Sequence, residues 1–320
     1  MYKIRINILN VEKIKMKNIL IVGCGAIAQA HHIPVLKKLK CNLYLCDTNP
    51  EVIPKKLNNI PFSTNYNDFI NNVEGALICT SHASHFSIAN DLLEKNINVL
   101  IEKPITVSLS DCEKLVKFEK RNIVAAGYFR RYIENFRLLK EIIETKKLGV
   151  VNSISINEGG VYGWPVMSNS FWKLESAGGG VLIDTGSHSV DLVNYLFNSD
   201  LKLISYTDDS KGGVEANSDL YLLAGEAKIN ISLSRNRPMS NSILINFSNG
   251  FLELDVTNGA LLKTNISSVQ SFKDGEYPDD IFKKQATAWI NDKKDEVINA
   301  SDVLKTVMII NQCYEKNYVD

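Results

Sequence analysis

The chain has 320 residues, of which 45% are hydrophobic and 22% are charged, and its formal net charge is zero. This length is enough for a large core and favours two domains, and the balanced charge argues against a nucleic-acid partner. The six cysteines form no CxxC pair, which argues against a zinc cage and a disulfide framework and favours reduced thiols in a cytoplasmic protein.

The first 16 residues, MYKIRINILNVEKIKM, mix lysines with apolar residues and lack a small-residue cleavage site. We expect residues 1–16 to be an N-terminal extension that is either dispensable or adds an edge strand. No apolar run reaches the roughly 18 residues that a membrane span requires, so no membrane partner is expected.

Short apolar runs alternate with helical patterns over the next hundred residues. The runs lie at residues 18–22, 42–46, 75–80, 98–102 and 122–127. Strands that alternate with helix-length segments favour a parallel sheet covered on both faces. We therefore predict an α/β dinucleotide-binding domain, a doubly wound Rossmann sheet, over residues 17–129.

The pattern changes after about residue 130. A helix is predicted over residues 134–147, ending before Gly149, and a strand over 150–157. Residues 201–262 indicate an antiparallel meander, and residues 280–317 indicate closing helices. Residues 130–320 are thus expected to form an α+β domain with a mostly antiparallel open sheet that binds substrate.

The segment GCGAIA lies between the first predicted strand and a predicted helix. It matches the G-x-G-x-x-G/A pattern, whose glycines permit a tight turn and close approach of the backbone to a pyrophosphate. A carboxylate after the second strand binds ribose hydroxyls and repels a 2′-phosphate, so Asp47 favours NAD over NADP. The alternative is a glycine turn without a nucleotide. The expected cofactor contacts in the turn are Gly23, Gly25, Ala26, Ile27 and Ala28.

Glu102, Lys103 and Pro104 end the fourth predicted strand. Ligands of doubly wound sheets bind at the carboxyl ends of the strands, so Lys103 is expected where a substrate meets the nicotinamide. A partly desolvated lysine can release its proton or donate a hydrogen bond to a substrate oxygen. The alternative is a surface lysine after a strand.

The segment AGGGVLIDTGSHSVD carries three glycines followed by Asp184, His188 and Asp191. Spacings of four and three put these side chains on one face of a helix, as a metal site, a buried network or a proton relay. A metal site needs more ligands than this pattern offers. An imidazole with a pKa of about 6.5, in contrast, can exchange protons near neutral pH. We favour the relay, with no metal and with Asp191 as a structural residue. The glycines are expected to let the backbone pass close to a ligand.

The guanidinium group of arginine can bind a carboxylate or phosphate through two hydrogen bonds, and aromatic rings can stack on the faces of sugars. A nucleotide-linked sugar is therefore one candidate substrate. The arginine candidates are Arg130, Arg131, Arg235 and Arg237, and the aromatic candidates are Tyr128, Trp164 and Trp172.

Four motifs, in the order GCGAIA, EKP, GYFRRY and GGGVLIDTGSH, resemble those of the Gfo/Idh/MocA oxidoreductases, the family of glucose-fructose oxidoreductase and inositol dehydrogenase. The resemblance implies that Lys103, Asp184 and His188 surround the substrate carbon that exchanges hydride with the nicotinamide. It also implies a cis bond before Pro104 and assembly as a homodimer or homotetramer.

The same resemblance assigns further contacts. Arg130, the first arginine of GYFRRY, falls where family members contact substrate hydroxyls. The segment CTSHASHF occupies the place of the family's TPxxxH loop along the cofactor, with serine where proline is usual. The implied cofactor contacts are Thr80, Ser81, His85, Glu102 and Lys103.

The resulting hypothesis is an NAD(P)-dependent oxidoreductase that moves a hydride between nicotinamide and a secondary alcohol or ketone. The substrate would be a sugar, a cyclitol or a nucleotide-linked sugar. His188, helped by Lys103, takes the hydroxyl proton, and Asp184 orients the hydroxyl or stabilises the imidazolium. The alternatives are a dinucleotide-binding regulator without turnover and a reductase of another small cyclic substrate.

Overall fold

A computed structural model describes residues 17–316 except 164, 166–171, 198–200, 211–212 and 268–271. The N-terminal extension, residues 1–16, and the candidate Trp164 therefore lie outside the described residues.

The N-terminal half contains one six-stranded sheet. All neighbouring strands in it are parallel. In space their order is β3-β2-β1-β4-β5-β6, which confirms the doubly wound parallel sheet. The strands are β1 (Asn18–Val22), β2 (Asn42–Cys46), β3 (Phe62–Ser63), β4 (Gly75–Ile78), β5 (Asn98–Ile101) and β6 (Val124–Ala126).

Helices follow most of these strands. After β1 the chain forms a π-helical turn, Ala28–His32, and then α1 (Ile33–Lys38). Helices α2 (His85–Glu94) and α3 (Leu109–Phe118) follow β4 and β5. The strand order reverses between β1 and β4, so their carboxyl ends border the crevice in which such sheets bind ligands.

The second sheet has seven strands in the order β13-β12-β11-β7-β10-β9-β8. This sheet is mostly antiparallel, as predicted. The prediction that residues 201–262 form one continuous meander is wrong, because a strand from earlier in the chain separates them into two groups. Strand β7 lies between β10 and β11, parallel to β10 and antiparallel to β11, because the backbone hydrogen-bonding groups on both of its edges pair with a neighbouring strand. The strands are β7 (Val151–Gly159), β8 (Leu201–Asp208), β9 (Asn217–Ala224), β10 (Ala227–Ser234), β11 (Ser242–Phe247), β12 (Gly250–Asp255) and β13 (Leu261–Thr264).

The remaining helices join the two sheets. Helix α8 packs against α3 and α6, and α7 packs against α1. Helix α4 ends at Glu144, earlier than predicted, and the chain then turns through Lys146 with a φ of 52°. The helices are α4 (Glu134–Glu144), α5 (Leu174–Ala177), α6 (Ser187–Phe197), α7 (Pro278–Ile290) and α8 (Ala300–Lys316), and a second π-helical turn, Leu182–Gly186, precedes α6.

The cysteines occupy the core rather than a metal or disulfide site. All six are buried and carry free thiols. In the part of the chain that the structure describes, no group of three or more histidine, cysteine, aspartate or glutamate side chains could hold a metal ion. None of the helices described there is long and apolar enough to span a bilayer.

Candidate active site

The glycine turn after β1 leaves room for a ligand on one side. Gly23 has a φ of 89°, and a Cβ there would lie 2.6 Å from the backbone of Cys79, so glycine is required by the neighbouring strand. A Cβ at Gly25, in contrast, would meet no atom within 4 Å. Ala28 is fully buried where the following helical turn begins. The turn therefore fits a dinucleotide pyrophosphate on the open side of Gly25.

Asp47 lies beside this turn. One of its carboxylate oxygens, Oδ2, accepts a hydrogen bond from the backbone N–H of Cys24 at 2.8 Å, and Oδ1 accepts one from Asn49 at 2.9 Å. The two bonds hold the carboxylate at the carboxyl end of β2, where it can select a ribose.

Lys103 and Asp184 meet across the two halves of the chain. The Lys103 Nζ donates to Asp184 Oδ1 at 2.6 Å and to the Asp184 carbonyl oxygen at 3.1 Å. The bond between Lys103 and Pro104 is cis, as the resemblance implied. Burial raises the pKa of Asp184, but the charge and the hydrogen bond of Lys103, together with the charge of Arg235, more than offset it, so this pKa lies below its usual value. Asp184 is therefore a carboxylate at neutral pH.

His188 is a buried, neutral imidazole. Its side chain contacts the edges of Phe129 and Tyr128, with ring centroids 4.7 and 6.0 Å away. Burial, followed by the charges of Arg130 and Lys103, lowers the pKa of His188 well below its ordinary value. The expectation that His188 has an ordinary pKa of about 6.5 therefore needs correction.

Asp184, His188 and Asp191 do not form one network. Asp184 lies in the π-helical turn, whereas the other two lie in α6, and the wider turn alters the phase of the side chains. Asp191 is buried in a bidentate ion pair with Arg131, at 2.9 and 2.7 Å. This pair supports a structural role for Asp191. Asp184 bonds Lys103 instead of the imidazole, so the expectation that it stabilises an imidazolium is not supported.

The three glycines before this turn are needed for packing inside the protein rather than for approach to a ligand. A Cβ on any of them would come too close to another protein atom. The nearest atoms are Val107 Cγ1 at 2.5 Å from Gly178, the Tyr314 hydroxyl oxygen at 2.1 Å from Gly179, and the Glu215 carbonyl oxygen at 2.0 Å from Gly180.

Three residues expected to contact ligands lie behind the site instead. Tyr128 is fully buried, so it cannot stack on a substrate ring. His85 is also fully buried, and its two ring nitrogens face the carbonyl oxygens of Pro104 and Thr80 at 2.8 and 3.1 Å. Glu102 is buried against His32, with 2.6 Å between Oε1 and Nε2. These side chains hold the strand ends in place and are poorly placed for ligand contact.

Arg130 is likewise turned inward. It is 4% exposed and forms a bidentate ion pair with Glu158, with 3.0 Å between Nη1 and Oε2. Ser189 donates a further hydrogen bond to Glu158 at 2.5 Å. Both terminal nitrogens of Arg130 are thus engaged, so the expected contact with substrate hydroxyls is not supported. Arg130 instead places a positive charge beside His188.

Other candidates stay at the edge of the cleft. Thr80 and Ser81 are partly exposed, and the Ser84 hydroxyl donates to Thr80 Oγ1 at 2.8 Å. Their cofactor contacts stay a prediction. Trp172 is 45% exposed and packs edge-on against Tyr162, with 5.4 Å between ring centroids.

Sequence reasoning missed His82, which lies between the expected cofactor contacts Ser81 and His85. Its Nδ1 donates to the Ala177 carbonyl oxygen at 2.8 Å, which leaves Nε2 as an acceptor. Burial, His85 and Lys103 lower the pKa of His82 to about 4. Its position immediately after the carboxyl end of β4 was the available signal.

Comparison with known proteins gives matches to both halves of the chain. A family model described as an oxidoreductase family with an NAD-binding Rossmann fold matches residues 17–128, and the GFO/IDH/MocA C-terminal domain matches residues 136–253. The chain is 29% identical over 224 residues to glucose-6-phosphate 3-dehydrogenase of Bacillus subtilis, covering 66% of this chain and 62% of that protein. It is 29% identical over 144 residues to inositol 2-dehydrogenase of Salmonella paratyphi B, covering 43% of this chain and 40% of that protein. The chain thus spans only 62% and 40% of the lengths of these curated relatives.

Solved structures share the fold over almost the whole chain. The WlbA dehydrogenase from Bordetella pertussis, in complex with NADH and UDP-GlcNAcA, matches with a TM-score of 0.79 and 18% identity, covering 94% of this chain and 96% of that one. KijD10, a 3-ketoreductase from Actinomadura kijaniata, in complex with NADP and TDP-benzene, matches with a TM-score of 0.80 and 13% identity, covering 93% and 97%. The two family models and this shared fold lead to one conclusion: the chain belongs to the Gfo/Idh/MocA oxidoreductase family, with an N-terminal NAD-binding Rossmann fold and the family's C-terminal domain.

Proposed function

We propose that the protein is an NAD-dependent oxidoreductase acting on a secondary alcohol or ketone of a sugar, cyclitol or nucleotide-linked sugar. The observation that carries the proposal is the 2.6 Å contact between Lys103 and Asp184 at the carboxyl edge of the Rossmann sheet, with neutral His188 nearby. The relatives named for glucose 6-phosphate and inositol support a polyhydroxylated ring as substrate.

The chain's own residues supply binding and proton transfer. The glycine turn at Gly25 and the Asp47 carboxylate would hold a nicotinamide dinucleotide, which would take up the hydride in oxidation and supply it in reduction. Lys103 donates a hydrogen bond to the substrate oxygen, and Asp184 fixes the direction of the ammonium group. In oxidation the carbon loses its hydride, the C=O bond forms and the hydroxyl proton passes to His188. In reduction the same proton returns from His188 to the new alcohol oxygen.

The proposal is tested with the full-length protein, NAD and a panel of glucose, inositol, glucose 6-phosphate and a UDP-linked sugar. We expect at least one substrate to produce NADH, followed by its absorbance. The reverse reaction is followed with NADH and the matching ketones. Tight NADH binding without turnover in either direction would favour the regulator alternative.

Asp47→Asn should reduce the preference for NAD over NADP by about tenfold or more, because the amide no longer repels a 2′-phosphate. The amide oxygen can still accept the hydrogen bond from Cys24, so the turn keeps its support. Fluorescence titration with NADH and NADPH measures both affinities. An unchanged affinity ratio would contradict the assignment of Asp47 to the ribose.

The pH dependence of alcohol oxidation should reflect the lowered pKa of His188. A base with a lowered pKa stays unprotonated to lower pH, so kcat/KM should show no loss from His188 protonation between about pH 7 and 6. The profile is recorded at saturating NAD, with protein preincubated at each pH to control for unfolding. An inflection of kcat/KM at about pH 6.5 that disappears in a His188 variant would show that the imidazole has its ordinary pKa.

We also propose a cytoplasmic homodimer or homotetramer. Six buried free thiols favour a reducing compartment.

For most of its length, strand β10 alternates buried and exposed residues, which leaves one face of the sheet available for association with a second copy of the chain. Light scattering of the full-length protein tests the assembly.

A further inference from the structure

The loop after β4 borders the Lys103–Asp184 pair, the proposed catalytic pair. The loop contains a short 3₁₀ turn, His82–Ser84, and the family resemblance places it along the cofactor. Hydrogen bonds within the loop hold this turn, since the Ser84 N–H donates to the Ser81 carbonyl oxygen at 3.0 Å and the Ser84 hydroxyl oxygen lies 2.7 Å from the same atom. The backbone of His82 is therefore fixed on the Rossmann side of the cleft.

Two contacts show where the imidazole of His82 lies. Its Nδ1 donates to the Ala177 carbonyl oxygen at 2.8 Å, directly before the glycine run that leads to the carboxylate of the pair. Three residues further on, His85 Nδ1 lies 2.8 Å from the carbonyl oxygen of Pro104, the residue directly after the lysine of the pair. The charges of both members of the pair also act on the pKa of His82. The imidazole thus lies between the two segments that carry the catalytic pair.

The hydrogen bond to Ala177 determines which nitrogen of His82 carries the hydrogen. A carbonyl oxygen can only accept, so the hydrogen is on Nδ1. Burial is the largest of the effects that lower the pKa of His82 to about 4, so the ring is neutral at neutral pH. A neutral imidazole with its hydrogen on Nδ1 has a lone pair on Nε2. This second nitrogen can accept a hydrogen bond but cannot donate one.

The Nε2 atom of His82 is available to a ligand. The side chain is partly exposed, and no donor among the described residues bonds Nε2. The neighbouring imidazole of His85, with 5.9 Å between ring centroids, has both of its nitrogens next to carbonyl oxygens. A ligand that displaces water from the cleft would leave the acceptor of His82 unsatisfied unless the ligand itself supplies a donor.

We propose that His82 Nε2 accepts a hydrogen bond from a second hydroxyl group of the substrate, near the alcohol or ketone that reacts. This inference rests on the proposed function and narrows its substrate class to polyols with a free hydroxyl group at that position. A deoxy or O-alkylated ring lacks the donor. A carboxylate or phosphate oxygen there would bring its lone pairs against that of Nε2. His82 thus determines specificity and takes no part in the proton transfer.

The experiment removes the proposed donor from the ligand. Calorimetry measures binding to the NADH-loaded, full-length protein, so that the result does not depend on turnover. The ligands are glucose, glucose 6-phosphate and inositol, each with its monodeoxy and mono-O-methyl analogues. An O-methyl group keeps the oxygen but removes the hydrogen, and the deoxy analogue controls for the added bulk. We expect one ring position at which both changes weaken binding by about 10–100-fold.

Two variants separate the roles of the two nitrogens of His82. In His82→Asn the amide nitrogen can occupy the position of Nδ1 and donate to Ala177, but no atom replaces Nε2. The ratio of affinities for the parent ligand and its analogue should therefore fall to about one. In His82→Gln the amide oxygen can reach the position of Nε2, so part of the wild-type ratio should remain. His31→Ala is the matched control, since it removes an imidazole that stacks on Phe282 instead, and it should keep the full ratio.

The amide group of nicotinamide is another donor that Nε2 could accept, and fluorescence titration with NADH distinguishes it from a substrate hydroxyl. Loss of NADH affinity in His82→Asn, with the wild-type ratio for the analogues retained, would assign Nε2 to the cofactor and overturn the inference. Equal binding of all analogues to the wild-type protein would overturn it as well, even where His82→Asn fails to fold.

Both of these results leave the proposed function intact. Failure of every parent ligand to bind the NADH-loaded protein, together with no turnover of the wider panel, would instead count against the proposed function and remove this inference with it.

Discussion

Replacement of His188 by alanine should lower kcat/KM for alcohol oxidation by about 10²–10⁴-fold, the usual range for loss of a general base. The imidazole is neutral because burial and the charges of Arg130 and Lys103 disfavour its protonated form, so it can accept a proton throughout the neutral range. It lies outside the glycine turn that fits the dinucleotide. Affinity for NADH should therefore stay nearly unchanged in a fluorescence titration of the same preparation.

His31→Ala is a suitable control for this variant. His31 is a partly buried histidine that stacks on Phe282, with 4.7 Å between ring centroids, on a turn that the proton path does not use. Its kcat/KM should stay close to the wild-type value. Parallel losses of NADH affinity and turnover in His188→Ala would show that His188 supports the fold rather than the chemistry.

The N-terminal sheet could be predicted because its strands are buried on both faces. The runs NILIV and NLYLC are apolar after their first residue, an asparagine, and the observed strands begin and end where those runs do. Strand β3 has only two residues, too few to produce a pattern. The place of β7 between β10 and β11 depends on pairing across many residues, which the order of strands along the chain does not reveal.

The segments that form the site could be predicted from the sequence. The hydrogen-bond and ion-pair partners of the individual side chains could not. The family resemblance implied that Lys103 and Asp184 lie together, and their side chains do meet. Whether Arg130 reaches a substrate or pairs with Glu158 depends on contacts between distant segments. His82 and His85 differ by one short helical turn, and only the packing of that turn decides which imidazole lies near the cleft.

Gly180→Ala should destabilise the protein by about 1–3 kcal/mol, the cost typical of inserting a methyl group into packed structure. The added Cβ would lie 2.0 Å from the carbonyl oxygen of Glu215 and 2.5 Å from its backbone nitrogen. These are backbone atoms, so no side-chain rotation relieves the contact. The Glu215 carboxylate also accepts hydrogen bonds from Gly180 at 2.8 Å and Leu182 at 2.9 Å, and displacement of the chain would break them.

Because Asp184 lies in the turn that begins at Leu182, the same displacement should move its carboxylate away from Lys103. Gly180→Ala should thus lose activity as well as stability, which urea unfolding and steady-state kinetics measure on one preparation. Gly163→Ala is the matched control, since a Cβ there would meet only the Val161 carbonyl oxygen at 3.8 Å, and its free energy of unfolding should be unchanged. If Gly180→Ala unfolds at the wild-type urea concentration and keeps its activity, the glycine run does not set the position of Asp184.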